Sequence, residues 1–168
     1  MDSAVPVEPQ PSLERKKFSP SPASLPSTLI QTHQISGIPT TVTAQLYSDR
    51  TFLALSQLSG KVGTLLSVTV EDSVIDMSRT FHVSIVLGNR DDPFPEVLAR
   101  NIGERIAATA GPPGTLGDVE GGVCPPLLIG VGLKRKARGD LRPDVDEFNT
   151  FLDLLSEAYA NVSRLESA

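Results

Sequence analysis

In separate stretches between residues 41 and 87 apolar side chains return at every second position, and only two helical stripes follow, separated by one more short apolar strand. A chain in this order builds a wide β-sheet and little helix with which to sheathe it. Val42, Ala44 and Leu46 point one way while Thr41, Thr43 and Gln45 point the other, after a first segment near Leu29 to Ile35 and a turn at Gly37-Ile38-Pro39. Ser48-Asp49-Arg50 turns the chain into Thr51 to Leu58, and the glycine-bracketed Gly60-Lys61-Val62-Gly63 leads into Thr64 to Val70. Phe81, Val83, Ile85 and Leu87 alternate as a fifth strand before Gly88, and Leu127, Ile129, Val131 and Leu133 as a sixth, whose Gly130 and Gly132 leave one face nearly bare.

The helical stripes are Phe94, Val97, Leu98, Ile102 and Ile106, opened by the N-cap candidate Asp92 and ended by Gly111, and Val145, Phe148, Leu152, Leu155, Tyr159 and Val162 within about Pro143 to Leu165. The expected fold is α+β: a six-stranded, mainly antiparallel sheet with two helices packed on one face. Six strands spaced about 4.8 Å apart span roughly 25 Å, whereas two helices about 10 Å wide cover one face only. The stretches 51–58 and 64–70 carry leucines on both parities, so the second face is expected to be apolar and to pair with another sheet. The competing expectation is that loop 111–126 or the N-terminal segment folds over it.

Residues 1–28 hold Pro6, Pro9, Pro11, Pro20, Pro22 and Pro26 among serines and charges, with too few apolar groups to offset the entropy of ordering them, and are expected to be a disordered tail ahead of one domain at 29–168. The charges within the tail cancel, so the net −5 of the 168-residue chain belongs to the folded part. That balance argues against a broadly basic nucleic-acid coat, and no apolar run reaches the roughly 18 residues of a membrane span. One cysteine and two histidines do not make an all-Cys/His zinc site or an internal disulfide. The tail lacks the apolar core of a secretory signal, which favours the cytoplasm.

Motifs for chemistry are weak. Ser59-Gly60-Lys61-Val62-Gly63-Thr64 has neither the earlier glycine nor the hydroxyl after lysine of a phosphate loop, and Gly111-Pro112-Pro113-Gly114-Thr115 lacks the lysine. His33 and His82 fall in strands without a nucleophile-elbow pattern; Asp91-Asp92 and Asp144-Asp146-Glu147 fall where helix starts favour acids; Cys124 has no neighbouring cation in sequence. The reading is therefore of a non-enzymatic binding module with no cofactor and no metal. Lys134, Arg135 and Lys136, with Arg138 and Arg142, form a basic cluster in an acidic domain and suit an acidic partner surface; nuclear import is the competing role.

Several strings resemble the proteasome assembly chaperone 3 family. They are Gly37-Ile38-Pro39-Thr40, the run Ser56 to Leu65 with its Gly-Lys-hydrophobic-Gly-Thr core, Val86-Leu87-Gly88, and Pro95 to Asn101 at the first helix. The likeness covers most of residues 30–160. It implies a chaperone acting early in assembly of the 20S proteasome α ring, dimeric with a relative, proteasome assembly chaperone 4, and binding α-type subunits. Partner contact is assigned to Gly60, Lys61, Val62, Gly63 and Thr64 from the resemblance, and to Lys134, Arg135 and Lys136 from charge. The tail, the glycine-rich loop 111–124 and the basic cluster have no counterpart in the family pattern. The alternative reading is a generic homodimeric adaptor without a proteasome link.

Overall fold

A computed structural model describes residues 25–73, 75–109, 124–134 and 143–166. Most of the expected tail, most of the glycine-rich loop, and Arg135, Lys136, Arg138 and Arg142 lie outside the described residues. The elements are β1 (Ser27–Ile35), β2 (Ile38–Leu46), β3 (Thr51–Ser56), β4 (Thr64–Asp72), β5 (Arg79–Leu87), α1 (Phe94–Thr109), β6 (Leu127–Gly132) and α2 (Val145–Glu166). They form one six-stranded sheet in the order β1-β2-β3-β6-β4-β5. All neighbours are antiparallel except β3 and β6. The fold is the expected α+β arrangement, with β6 threaded into the middle.

Local chemistry explains most of the boundaries. The first hairpin turns at Ser36 (φ 50°) and Gly37 (φ 76°), with Ile35 paired to Ile38. The tight turn thus lies one residue earlier than the Gly-Ile-Pro string suggested, because a two-residue hairpin loop requires positive φ at both positions. Pro39 is tolerated inside β2 because β3 does not reach it; that pairing begins at Thr41. Asp92 Oδ1 accepts the Phe94 N–H at 3.0 Å and Asp144 Oδ1 accepts the Glu147 N–H at 2.8 Å, so both acids act as helix caps.

Both helices lie on the same face. α1 covers β4, β5 and β6, while α2 covers β1, β2 and β3. The core between the layers is made by Leu53, Leu55, Leu66, Val68, Leu127 and Ile129 from the sheet, against Leu98, Ile102, Ile106, Phe151 and Leu155 from the helices, all essentially inaccessible. Each such side chain contributes about 1.5–3 kcal/mol by leaving water. Gly103 lets α1 approach closely, since a Cβ there would lie 2.9 Å from Val68 Cγ1. Phe94 meets Phe148 edge-on at 5.9 Å, and Arg105 bonds Asp153 at 2.6 Å, which joins the helices to each other. Among the described residues, no helix is long and apolar enough to cross a membrane.

The far end of α1 is tied to the sheet by Arg79. Its Nε and Nη2 donate to the two carboxylate oxygens of Asp72 at 2.6 and 2.7 Å, and Nη1 donates to the Ala107 carbonyl at 2.6 Å. The arginine side chain is only 10% exposed, so this is a sheltered fork rather than a surface pair. Arg79 holds the Asp72 carboxyl below its usual range. A depressed carboxylate stabilises the fold fully above its unfolded pKa, near 4, and loses that contribution as pH falls through the folded value. Arg79→Met is expected to cost about 1–3 kcal/mol at pH 7, and to flatten the loss of stability below pH about 4; urea melts at pH 7 and pH 3 measure both. Cys124 is buried, and burial pushes its thiol up. A disulfide reagent is expected to label it only as fast as the chain opens, and full labelling within the mixing time under native conditions would contradict that placement.

Candidate functional site

Strand parity decides what lies on the side away from the helices. Paired residues share a face, so Leu65, Gly130, Ala54, Thr43 and Ile30 form one row across the sheet, and Ser67, Leu128, Phe52, Gln45 and Thr28 form the next. Among the described residues no helix covers this side. Its middle is apolar, with Phe52, Leu128 and Leu65 half-buried among their neighbours. Its β1–β2 flank is Thr, Gln and one Ile, joined by contacts such as Gln45 Nε2 to Thr28 Oγ1 at 3.4 Å. Charge enters only on the other flank, where Glu71 and His82 approach to 3.3 Å. The face is therefore less greasy than two leucine parities suggested. The outward set is an apolar centre in an uncharged, threonine-rich surround, and Leu58 lies past the end of β3.

One end of this side is closed by the turn 57–63. Ser59 (φ 54°) and Gly60 (φ 82°) reverse the chain, and the Lys61 N–H returns to the Leu58 carbonyl at 3.2 Å. Ser56 Oγ donates to the Lys61 carbonyl at 2.7 Å and accepts the Leu58 N–H at 3.2 Å. Gly63 N–H donates to the Val131 carbonyl at 3.0 Å. These bonds lay Val62 over Gly130, where a Cβ would meet Val62 Cγ2 at 2.9 Å, and set the Lys61 carbonyl where a Cβ on Gly132 would need to be. The two glycines do not leave a bare strip; they make room for this turn. A Gly-x-Gly strand paired with a Gly-Lys-hydrophobic-Gly turn was the sequence signal for that packing.

The structure also brings Lys134, the one described member of the basic group, to the same end of the molecule as the 60–64 turn. Gln57 donates from Nε2 to Thr40 Oγ1 at 3.3 Å, its backbone N–H donates to Gly132 O at 2.7 Å, and its Oε1 accepts the Lys134 N–H at 3.2 Å. Sequence reasoning overlooked Gln57, since an isolated glutamine carries no pattern. Gly63, Thr64 and Lys134 share the wall of a cavity of about 250 Å³ with Leu58, Phe94 and Val131. Lys61 is exposed, Val62 is 38% exposed, and Thr64 is buried. Gly88 allows β5 to end against this site, because a Cβ there would lie 2.7 Å from Thr64 Cα. The remaining singled-out groups lie apart: His82 on the open side beside Glu71, and His33 on the helix side, its Nε2 buried and unpartnered among the described residues. No group of three potential metal ligands occurs among the described residues.

The packing of the turn onto β6 has a measurable cost if disturbed. Gly132→Ala is expected to destabilise the fold by about 1–3 kcal/mol, because the obstacle is backbone rather than a flexible side chain. It should also raise the amide exchange of residues 58–63 without affecting α1. An alanine variant with unchanged melting and exchange would show that the turn does not rest on β6.

Known proteins fit this arrangement. The profile of the family described as proteasome assembly chaperone 3 matches residues 53–146, from β3 to the start of α2. The human and bovine proteins named proteasome assembly chaperone 3 are each 30% identical over 81 residues, which is 48% of this chain and 66% of theirs. A chain from a crystal structure of a novel chaperone complex for yeast 20S proteasome assembly superposes with a TM-score of 0.54. That superposition covers 81% of this chain and 99% of the yeast one at 16% identity, a likeness of fold. With more than half its length matched by the family profile, the chain belongs to the proteasome assembly chaperone 3 family.

Proposed function

We propose that this protein is a non-enzymatic chaperone of early 20S proteasome assembly, acting on the α ring as a dimer with a related small chaperone of the proteasome assembly chaperone 4 kind. The observation that carries the reading is the side of the sheet left uncovered among the described residues, with Phe52, Leu128 and Leu65 at its centre and no Asp, Glu, Lys or Arg on β1, β2, β3 or β6. An apolar centre within an uncharged surround suits a partner sheet laid about 10 Å away, since nothing charged has to be stripped of water when the faces meet. Family membership supports the chaperone role, and the yeast fold neighbour comes from a complex for 20S assembly.

The second half of the proposal places α-type subunits at the end bearing Lys61, Val62 and Lys134, with Arg135 and Lys136 next in the chain. Lysines on an otherwise acidic domain attract acidic surface over about a Debye length and fix orientation. Binding there covers a surface an immature α subunit would otherwise commit wrongly, and an incoming subunit that needs the same surface displaces the chaperone. The compartment proposed for this work is the cytoplasm, with the nucleus reachable through the basic cluster.

Affinity capture of the tagged protein from a lysate rich in assembly intermediates tests both halves. The wild type is expected to recover α-type subunits together with a second small chaperone. Phe52→Glu should lower recovery of the chaperone at least tenfold while the melting temperature stays within a few degrees. Lys61→Glu should lower recovery of α subunits and spare the chaperone. A wild type that recovers neither, while sedimenting as a stable homodimer, would favour the homodimeric adaptor instead.

A further inference from the structure

The seam between the two helices changes character along its length. Midway along α1, Arg105 bonds Asp153 of α2 at 2.6 Å and Arg100 bonds Glu104 at 3.2 Å, so this part presents charge to water. At the helix starts the chemistry reverses. Pro93, Phe94 and Val97 on one side and Pro143, Val145 and Phe148 on the other line a pocket of about 280 Å³. Phe94 and Phe148 meet edge-on, and Val97 and Val145 are 49% and 74% exposed. Val145 belongs to the stripe expected to pack on the sheet, yet it is left outside with Val97. A single exposed valine means little, whereas two on one apolar concavity make a patch that gains from being covered.

Acids collar this pocket. Asp91, Asp92 and Glu96 lie within two residues of its α1 wall, Asp144 lines its α2 wall, and Asp146 follows Val145. Against these five stand Arg90 and, outside the described residues, Arg142, which leaves an excess of three negative charges. The two helix starts offset about half a charge each, so the collar stays negative.

We propose that this pocket docks a segment of a partner protein in which a leucine- or phenylalanine-sized side chain is flanked by lysines or arginines. The apolar concavity takes the anchor, and the collar draws the cations in over about a Debye length. Charge selects a basic protein segment over the other macromolecules, because the same acids repel nucleic-acid phosphates and anionic lipid. An arginine beside the anchor gains further from Phe148, half-buried in the pocket wall, on whose ring a guanidinium can lie. The pocket is on the helical side, opposite the sheet face assigned to the second chaperone. It is also separated by Phe94 from the cavity that Lys134 lines, at the end assigned to α-type subunits, so the inference stands without either assignment.

Selection of a random peptide display library on the full chain, followed by anisotropy titration of the most enriched peptide, tests it. Enriched sequences are expected to be net basic, with leucine or phenylalanine between the cations. Val97→Gln combined with Val145→Gln should weaken binding at least tenfold, and Glu96→Gln combined with Asp146→Asn at least fivefold, whereas Phe52→Glu on the opposite side should change it less than twofold. All four pocket positions are exposed, so melting temperatures should stay within a few degrees. Enrichment of acidic or neutral peptides, or of none, overturns the proposal. So does a basic peptide that responds to the acid pair and ignores the valine pair, which would show diffuse charge attraction alone, and so does binding lost in Phe52→Glu. A chain that binds these peptides only after residues 1–24 are removed also overturns it, since Arg15-Lys16-Lys17-Phe18 of the same chain would then be the occupant.

Discussion

Among the described residues two helices cover one side of a six-stranded sheet and none covers the other, and the functional reading of this molecule follows from that shortage. The side α1 and α2 take is a close-packed core in which central strands β3, β6 and β4 contribute Leu53, Leu55, Ile129, Leu127, Leu66 and Val68. Among the described residues the opposite side has only its own chemistry to keep it in water. It meets that demand by being uncharged and threonine-rich rather than lysine- and glutamate-rich, with Phe52, Leu128 and Leu65 in the middle. Such a surface is soluble enough to exist alone and apolar enough to gain from being covered.

The order of strands makes the arrangement hard to alter piecemeal. β6 is the last strand in the chain yet lies at the centre, parallel to β3 and antiparallel to β4. The sheet is therefore two hairpin-based halves joined by a strand that arrives late, and its non-local pairing ties the turn 57–63, the start of β4 and the end of β6 into one cluster through Gln57 and Ser56. Exposed Lys61 thereby gains a fixed frame, whereas a lysine on a long free loop would have none.

Much of this could be read from residues alone, because strands whose two sides meet different surroundings declare themselves by parity. Val42/Ala44, Leu66/Val68 and Phe81/Val83/Ile85 do so; of the stripe expected for α2, Leu152, Leu155 and Val162 are buried and Phe148 and Tyr159 partly so, whereas Val145 is exposed and Phe151 and Ala158 complete the buried side. What parity does not convey is which neighbour a strand takes. Nothing in Leu127 to Gly132 tells that it lies between β3 and β4, so the role of Gly130 and Gly132 as seats for the 57–63 turn was read as bareness. The same blindness overstated the apolar character of the open side: Leu53 and Leu55 both point to the helices, and Phe52, Ala54 and Ser56 face outward from β3. Gln57 was missed because a side chain that accepts one bond and donates another across three strands leaves no periodic trace.

Whether a second chaperone sits on the side opposite the helices, as proposed, is decided by methyl NMR of the protein titrated with a small chaperone of the proteasome assembly chaperone 4 kind. Leucine, valine and isoleucine methyls report both sides at once. Large shifts or broadening are expected at Leu65 and Leu128, with Val97, Val145 and Leu165 on the helical side unmoved. Perturbation confined to those three helix positions, with Leu65 and Leu128 silent at saturation, would contradict it.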